Sequence, residues 1–177
     1  ASPADTFFGP DNDANDVQAL QVLDANGAVL ETLWEYHGAN NQEWGLTQYN
    51  LYKYSGQNIR LKFFVQNDGA GGVTAMFVDD VSISTCPTIP APEIYLPGNA
   101  SEAPNACTNQ VINPGFETNA GWGIPYTAYS AGYNNNPAGV RTGSRSMRTG
   151  IPASQSWENR YSYSDAWQYA EIPASAT

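Results

Sequence analysis

The chain has 177 residues, 41% of them hydrophobic and only 14% charged, with 17 acidic against 7 basic side chains and a net charge of −10. That length suffices for one domain with a buried core. The acidic balance argues against nucleic acid and anionic membrane surfaces as partners. No apolar run approaches the length that crosses a bilayer, so no membrane span is expected.

The first half of the chain predicts antiparallel β-hairpins. Val17–Leu23 and Ala28–Tyr36 flank an Asn-Gly pair, which favours the positive φ of a tight hairpin turn. Residues 58–67 alternate, with Ile59 and Leu61 among the apolar side chains on one face. A glycine-rich turn then separates this pattern from a second strand pattern that ends at Ile83.

The second half begins with a proline-rich linker, residues 87–106, and continues with shorter strands between loops rich in glycine, proline and asparagine. No segment carries a helical periodicity. The pattern therefore predicts an all-β, antiparallel β-sandwich. The short strands are predicted at Gln110–Pro114, Ser144–Ile151 and Ala166–Pro173.

Two cysteines, Cys86 and Cys107, bracket the linker. Their spacing fits no compact metal motif, and neither has a histidine nearby. We therefore predict a disulfide, with two free thiols as the alternative. A disulfide requires an oxidising compartment, which indicates an extracellular or cell-surface protein.

Several motifs carry a family resemblance. The stretch that ends in FVDDVSI (residues 77–83) resembles the second half of jelly-roll modules in bacterial secreted and surface proteins, of the galactose-binding-like and carbohydrate-binding type. NPGFE (113–117), GSRSMR (143–148) and AWQYAEIPA (166–174) resemble the first half. The resemblance implies a permuted jelly roll in which residues 1–86 and 107–177 together form one sandwich.

The inverted order implies two neighbouring segments and one missing strand. The opening strand near Val111 should pair with the closing strand near Val81, which would put the cysteine Cα atoms about 5.5 Å apart, within about 1 Å. About one strand of the module has no counterpart, and Ala1 and Thr177 would flank the gap. An open edge predicts completion by a copy of the chain or an adjacent repeat, head to tail in a filament or array. The alternative is a strand lost by truncation or proteolysis.

No catalytic motif is found. The single histidine, His37, lies in a predicted loop without a serine or cysteine motif. Asp79 and Asp80 are adjacent on a predicted strand, so their side chains are expected on opposite faces, where they could not flank one glycosidic bond. We therefore predict that the protein is not an enzyme.

The resemblance also implies a structural calcium between the opening and closing strands. Its ligands would be Glu117 with Asp79 or Asp80, whose oxygens suit that ion. The alternative is that Asp79 accepts hydrogen bonds from the backbone and that Glu117 pairs with Arg145 or Arg148.

Aromatic side chains supply the remaining candidates. Trp44, Trp122 and Trp167 are assigned to packing. Exposed loop aromatics can stack on sugar rings or lie in a subunit contact, and the sequence does not separate the two. The candidates for contact with a ligand or a subunit are Tyr126, Tyr129, Tyr133, Trp157, Tyr161 and Tyr163.

Two functions follow from these features. The strand order favours a non-catalytic extracellular structural module, a repeat or subunit of a surface filament or array that shares a strand with its neighbour. The alternative is a carbohydrate-binding accessory or adhesive module, which the resemblance favours.

Overall fold

The computed structural model describes residues 15–37, 43–86 and 107–174. These residues form nine β-strands and three short 3-10 turns, and every strand pairing is antiparallel, so the predicted all-β, antiparallel fold is confirmed. The turns are Tyr52–Tyr54, Pro137–Gly139 and Ala153–Glu158. The strands are β1 (Val17–Leu23), β2 (Val29–His37), β3 (Asn58–Asp68), β4 (Ala75–Val78), β5 (Ser84–Thr85), β6 (Thr108–Asn109), β7 (Gly132–Asn134), β8 (Ser146–Gly150) and β9 (Tyr161–Glu171).

The strands are arranged in a sandwich-like pair of larger sheets and a small ribbon. One sheet has the order β2-β1-β3-β9, the second has the order β4-β8-β7, and β5 pairs with β6. Strands β3 and β4 precede residues 87–106, whereas β8 and β9 follow them. Both larger sheets are therefore built from the two parts of the chain on either side of that segment.

The predicted hairpin between β1 and β2 is present and its turn is held locally. The Asp24 carboxylate accepts hydrogen bonds from the main-chain N–H groups of Asn26 and Ala28, each at 2.8 Å. Gly27 has a φ of 95°, a conformation that other residues adopt only with strain. The Asn-Gly signal thus marks the turn correctly.

The core lies between the two larger sheets. Ile59, Leu61, Phe63 and Val65 of β3 point into it, as their alternation predicts, and they are almost completely buried. The same cluster contains Trp122, whose ring packs against Phe63 and Phe116, so its assignment to packing is confirmed. Burial of such side chains contributes about 1.5–3 kcal/mol each.

One predicted strand is shorter than expected and another is replaced by a turn, because single residues reverse the backbone. The pattern that was expected to run to Ile83 ends as β4 at Val78, since Asp80 has a φ of 51°. The strand predicted at 110–114 is a turn, since Asn113 has a φ of 54°. Both are uncommon conformations for residues other than glycine.

The closing and opening segments are neighbours, as expected. The Val81 N–H donates to the Pro114 carbonyl at 3.0 Å, and the Gln110 N–H donates to the Ile83 carbonyl at 2.9 Å. Next to these bonds β5 pairs with β6.

The predicted disulfide between Cys86 and Cys107 is present, with 4.2 Å between the Cα atoms. This distance lies below the predicted range of about 4.5–6.5 Å, so the bond is as predicted but the Cα separation is not. The cysteines continue the Thr85–Thr108 register by one pair. Residues that lie directly opposite in antiparallel strands approach to about 4.5–5.5 Å, which brings the Cα atoms close.

Candidate functional site

The side chains of β3 and β9 that point away from the core form a continuous surface, here called the outer aromatic face. It exists because β3 and β9 stay in regular register over eleven residues, so that alternate side chains of both strands reach the same side. Its members are Arg60, Lys62, Phe64, Tyr161, Tyr163, Asp165, Trp167 and Tyr169.

Three tyrosines of β9 are strongly exposed on this face. Tyr161 is 55% exposed, Tyr163 42% and Tyr169 48%. Large aromatic side chains clustered in contact with solvent mark binding surfaces more often than isolated ones do. The face is therefore the first candidate for a binding site.

The first half of the face is a group of three rings. Phe64 and Tyr163 are nearly parallel, with 5.8 Å between ring centroids and an interplanar angle of 20°. Tyr161 meets Tyr163 edge to face at 5.3 Å, and their hydroxyl groups are hydrogen-bonded. The rings support one another, so they form a preorganised wall.

The second half of the face is built around a cation. The guanidinium carbon of Arg60 lies 4.7 Å from the Trp167 ring centroid and 4.6 Å from that of Tyr169. One guanidinium nitrogen also donates to the Ala25 carbonyl at 2.6 Å, which ties this group to the hairpin turn. Gly123 lies against the other side of the indole, where an added Cβ would be 2.6 Å from the ring.

A lysine and an aspartate lie between the two aromatic groups. Lys62 and Asp165 are half-buried, and the Lys62 ammonium nitrogen lies over the Phe64 ring, 4.9 Å from its centroid. Neither side chain makes a hydrogen bond or an ion pair within 4 Å among the described residues. Burial raises the pKa of Asp165, and the charge of Lys62 partly opposes that rise. Burial also lowers the pKa of Lys62, partly offset by Asp165. Each group thus has hydrogen-bonding capacity that a ligand could use.

The spacing of the two groups suits a ring-shaped ligand. Tyr163 and Trp167 are four residues apart on β9, which corresponds to about 13 Å along a strand. Aromatic rings thus stand at both ends of this span, with a donor and an acceptor between them.

The structure brings two of the six predicted contact aromatics together. Tyr161 and Tyr163 were expected in a loop, but they lie on β9. Tyr126 is 98% exposed and Trp157 is exposed, and both lie outside β3 and β9.

The other two tyrosines make contacts of their own. The Tyr129 hydroxyl is hydrogen-bonded to Gln155. Tyr133, also expected in a loop, lies half-buried on β7 with the Arg145 guanidinium 4.2 Å from its ring.

Sequence reasoning missed most of the face. Trp167, assigned to packing, does pack against Arg60 and Gly123, and it does so on the outer face of β9. Phe64, Tyr169 and Arg60 were not proposed as site residues. The available signal was the period of two along β9, because Tyr161, Tyr163, Asp165, Trp167 and Tyr169 are all separated by two residues.

The predicted calcium ligands Asp79 and Asp80 both reach one loop. Asp79 is fully buried. Its carboxylate accepts hydrogen bonds from the main-chain N–H groups of Arg141, Thr142 and Asp80, at 3.0, 3.1 and 2.9 Å. Burial raises its pKa, partly offset by these bonds. Asp80 accepts from the side chains of Arg141 and Thr142. The expectation that the two carboxylates point to opposite faces is wrong, because Asp80 reverses the backbone.

Glu117 holds the next part of that loop. Its carboxylate accepts hydrogen bonds from the main-chain N–H groups of Ser144 and Arg145, at 2.9 and 3.1 Å, and from the Ser144 hydroxyl at 2.6 Å. These bonds, with Ser144 contributing most, lower the pKa of Glu117. An added Cβ on Gly143 would be only 2.2 Å from the carboxylate, so the loop fits tightly around it.

The contacts of Asp79 match the alternative of main-chain hydrogen bonds. The Glu117 carboxylate meets Arg145 at its main-chain N–H, and the Arg145 guanidinium donates to the Glu117 carbonyl. Within residues 15–37, 43–86 and 107–174, no three His, Cys, Asp or Glu side chains are grouped so that they could hold a metal ion. The carboxylates already accept hydrogen bonds from N–H and O–H groups, and a calcium ion would have to replace these bonds. The residues as they are arranged therefore do not fit a resident ion. Calcium stays a prediction. A rise in Tm with calcium, abolished in Glu117→Gln, would establish it.

Two adjoining cavities lie away from the outer aromatic face. Their volumes are about 290 and 360 Å³, and both are lined by Tyr49, Leu51 and Ile83. Their linings contain no charged side chain. They offer less specific chemistry than the face does.

Comparison with protein-family models, with curated proteins and with solved structures finds no match. Among the described residues there is no helix with the length and apolarity that crossing a bilayer requires. The disulfide is compatible with an extracellular location. The functional conclusion therefore rests on the site itself.

Proposed function

We propose that the protein is a non-catalytic extracellular module that binds carbohydrate on its outer aromatic face. The observation that carries this proposal is the pair Lys62 and Asp165, half-buried and without a hydrogen-bond partner among the described residues, between two groups of aromatic rings. The Lys62 ammonium group lies on the Phe64 ring and its charge attracts that of Asp165, so the hydrogen-bonding capacity of both side chains stays open to a ligand.

The chemistry of the face suits a sugar. The apolar C–H faces of successive pyranose units can pack on the exposed rings of Tyr163 and Tyr169. Their hydroxyl groups can accept from the Lys62 ammonium group and donate to the Asp165 carboxylate. Aromatic contact with a few placed polar groups is the usual composition of a small-molecule site.

The extent of the face favours a chain of sugars over a single residue. Tyr161 and Tyr169 are eight residues apart, which is about 26 Å along a strand. Several pyranose units can lie along this length. The proposed ligand is therefore a polysaccharide that contacts the face at internal units.

The proposed fold is a jelly roll in permuted order. It is supported by the contact between the closing and opening segments through Val81 and Pro114, and by the sheets that both parts of the chain build. In this arrangement β9 and β3 lie side by side although about one hundred residues separate them.

Affinity gel electrophoresis tests the binding proposal. Gels contain xylan, mixed-linkage β-glucan, galactomannan or pectin, and we expect at least one polysaccharide to retard the wild-type protein. Tyr163→Ala and Asp165→Asn should abolish that retardation. Tyr52→Ala is the matched control, since Tyr52 is an exposed tyrosine on a 3-10 turn outside the sheets. No retardation on any of these gels, or equal loss in the control, would reject the proposal.

A further inference from the structure

Strand β9 has an open edge. Trp167 and Gly123 exchange two main-chain hydrogen bonds, at 3.0 and 2.8 Å, on the side of β9 away from β3. Residues at alternate positions of a strand turn their main-chain groups to the same side. The N–H and C=O groups of Tyr161, Tyr163 and Asp165 therefore also point away from β3.

This part of the edge has no partner within the described chain. The Gly123 bridge covers β9 only at Trp167, and no strand lies beside residues 161–165. Three consecutive outward-facing residues thus offer a row of donors and acceptors. Such a row is a template for another strand.

The opposite edge of the same sheet is built differently. The pairing of β1 with β2 has two irregularities, at Leu20/Gln21 and at Val22/Leu23, and β2 carries Glu31 and Glu35. Bulges and charges of this kind discourage pairing with a second sheet. Along β9 the register is regular, and its open part has a single charged side chain, Asp165.

We infer that a second copy of this chain pairs antiparallel with residues 161–165 of β9, around a two-fold axis at Tyr163. In this register Tyr163 faces itself, and Tyr161 faces Asp165 of the second copy. The contact contains about six main-chain hydrogen bonds, two for each facing pair. The two outer aromatic faces become one continuous surface.

The side chains complement one another in this register. Directly opposite Cβ atoms are about 4.5–5.5 Å apart. The hydroxyl group of Tyr161 can therefore donate to the Asp165 carboxylate of the second copy, which accepts no hydrogen bond from the described residues of its own chain. This two-fold contact closes at a dimer, and in that respect it differs from the head-to-tail filament expected from the strand order.

The net charge sets the conditions for association. Each chain carries a charge of −10, so the two copies repel each other at low ionic strength. Salt screens that repulsion over distances of about 10 Å at 0.1 M. The dimer should therefore be more populated at 0.5 M than at 0.02 M sodium chloride.

Charged substitutions at Tyr163, on the two-fold axis, test the register in the absence of any glycan. Tyr163→Lys and Tyr163→Glu each put two like charges opposite one another, so each variant alone should sediment as a monomer. Their equimolar mixture should give a heterodimer by native mass spectrometry. Tyr169→Lys, on the same strand and face but away from the axis, should dimerise like the wild type.

A cross-link checks the geometry independently of these charges. Tyr163→Cys should form an intermolecular disulfide on a non-reducing gel, whereas Tyr169→Cys should not. A wild-type protein that is monomeric at about 1 mM in 0.5 M salt overturns the inference. So does dimerisation of Tyr163→Lys at the wild-type level.

Discussion

Arg60 and Trp167 are stacked across two strands, with 4.7 Å between the guanidinium carbon and the indole centroid. The residues come from β3 and β9, which are far apart in the chain. Tyr169 lies on the same guanidinium group at 4.6 Å. One planar cation thus organises the second half of the outer aromatic face.

Arg60→Lys should lower the free energy of unfolding by about 1 kcal/mol, because an ammonium group cannot stack on both rings and reach Ala25 in the same way. Urea denaturation followed by circular dichroism measures the change. Lys62→Arg serves as the matched control, since an arginine can keep the cation–ring contact that Lys62 makes with Phe64, with 4.9 Å between the ammonium nitrogen and the ring centroid. Equal stability of Arg60→Lys and wild type would contradict a stabilising role for the stack.

Gly123→Ala should weaken polysaccharide binding without removing any side chain of the face. The added methyl group would lie 2.6 Å from the Trp167 indole, so the ring must move. We expect the retardation in affinity gels to fall several-fold. Gly45→Ala is the control, because nothing lies within 4 Å of a Cβ at that position. Unchanged retardation in Gly123→Ala would mean that the position of Trp167 does not matter for binding.

The sequence predicted the inner side of β3 better than its outer side. Alternation places Ile59, Leu61, Phe63 and Val65 together, and the core depends only on that local pattern. The outer face depends on the register of β3 against β9, across about one hundred residues, and local periodicity carries no information on such a register. The sequence therefore did not identify Tyr163 as the neighbour of Phe64.

The turn at Asp79 and Asp80 shows the same limit of prediction from local pattern, here at a single residue. Asp79 and Asp80 were expected on opposite faces because a continuous strand requires it. The positive φ of Asp80 turns both carboxylates toward Arg141 and Thr142. A positive φ at a residue other than glycine depends on tertiary contacts, which the sequence pattern does not reveal.

Asp79→Asn should lower the free energy of unfolding by about 2–3 kcal/mol, since a buried carboxylate that accepts three N–H groups would become an amide that also donates. Asp80→Asn should cost at most about 1 kcal/mol, because its ion pair with Arg141 is partly exposed. Urea denaturation of both variants measures the difference. Equal losses would show that burial of Asp79 does not govern its contribution.

The acid stability of the protein should depend on Glu117. Its pKa lies below the ordinary value of 4.5, chiefly because Ser144 donates to the carboxylate, so ionised Glu117 stabilises the folded state. That contribution is present above about pH 4.5 and is lost as the pH falls through the lowered pKa. An NMR titration should give a Glu117 pKa below 4.5.

The Tm difference between pH 7 and pH 3 should accordingly be smaller in Glu117→Gln than in the wild type. Glu171→Gln, a change at an exposed glutamate at the end of β9, should leave that difference as it is in the wild type. A Glu117 pKa above 4.5 would be incompatible with the hydrogen bonds described for this loop.

The disulfide should contribute to the stability of the junction between the closing and opening segments. Cys86 and Cys107 are 21 positions apart, and a cross-link over a loop of this length stabilises the folded state by about 3 kcal/mol through the entropy of the unfolded chain. The double variant Cys86→Ser with Cys107→Ser should lose about this amount in urea denaturation. It should still unfold in one transition, because residues from both parts of the chain share one hydrophobic cluster. A reductant should destabilise the wild type by the same amount and leave the double variant unchanged. A loss well below 1 kcal/mol would mean that the β5–β6 pairing and the Val81–Pro114 hydrogen bond hold the junction without the cross-link.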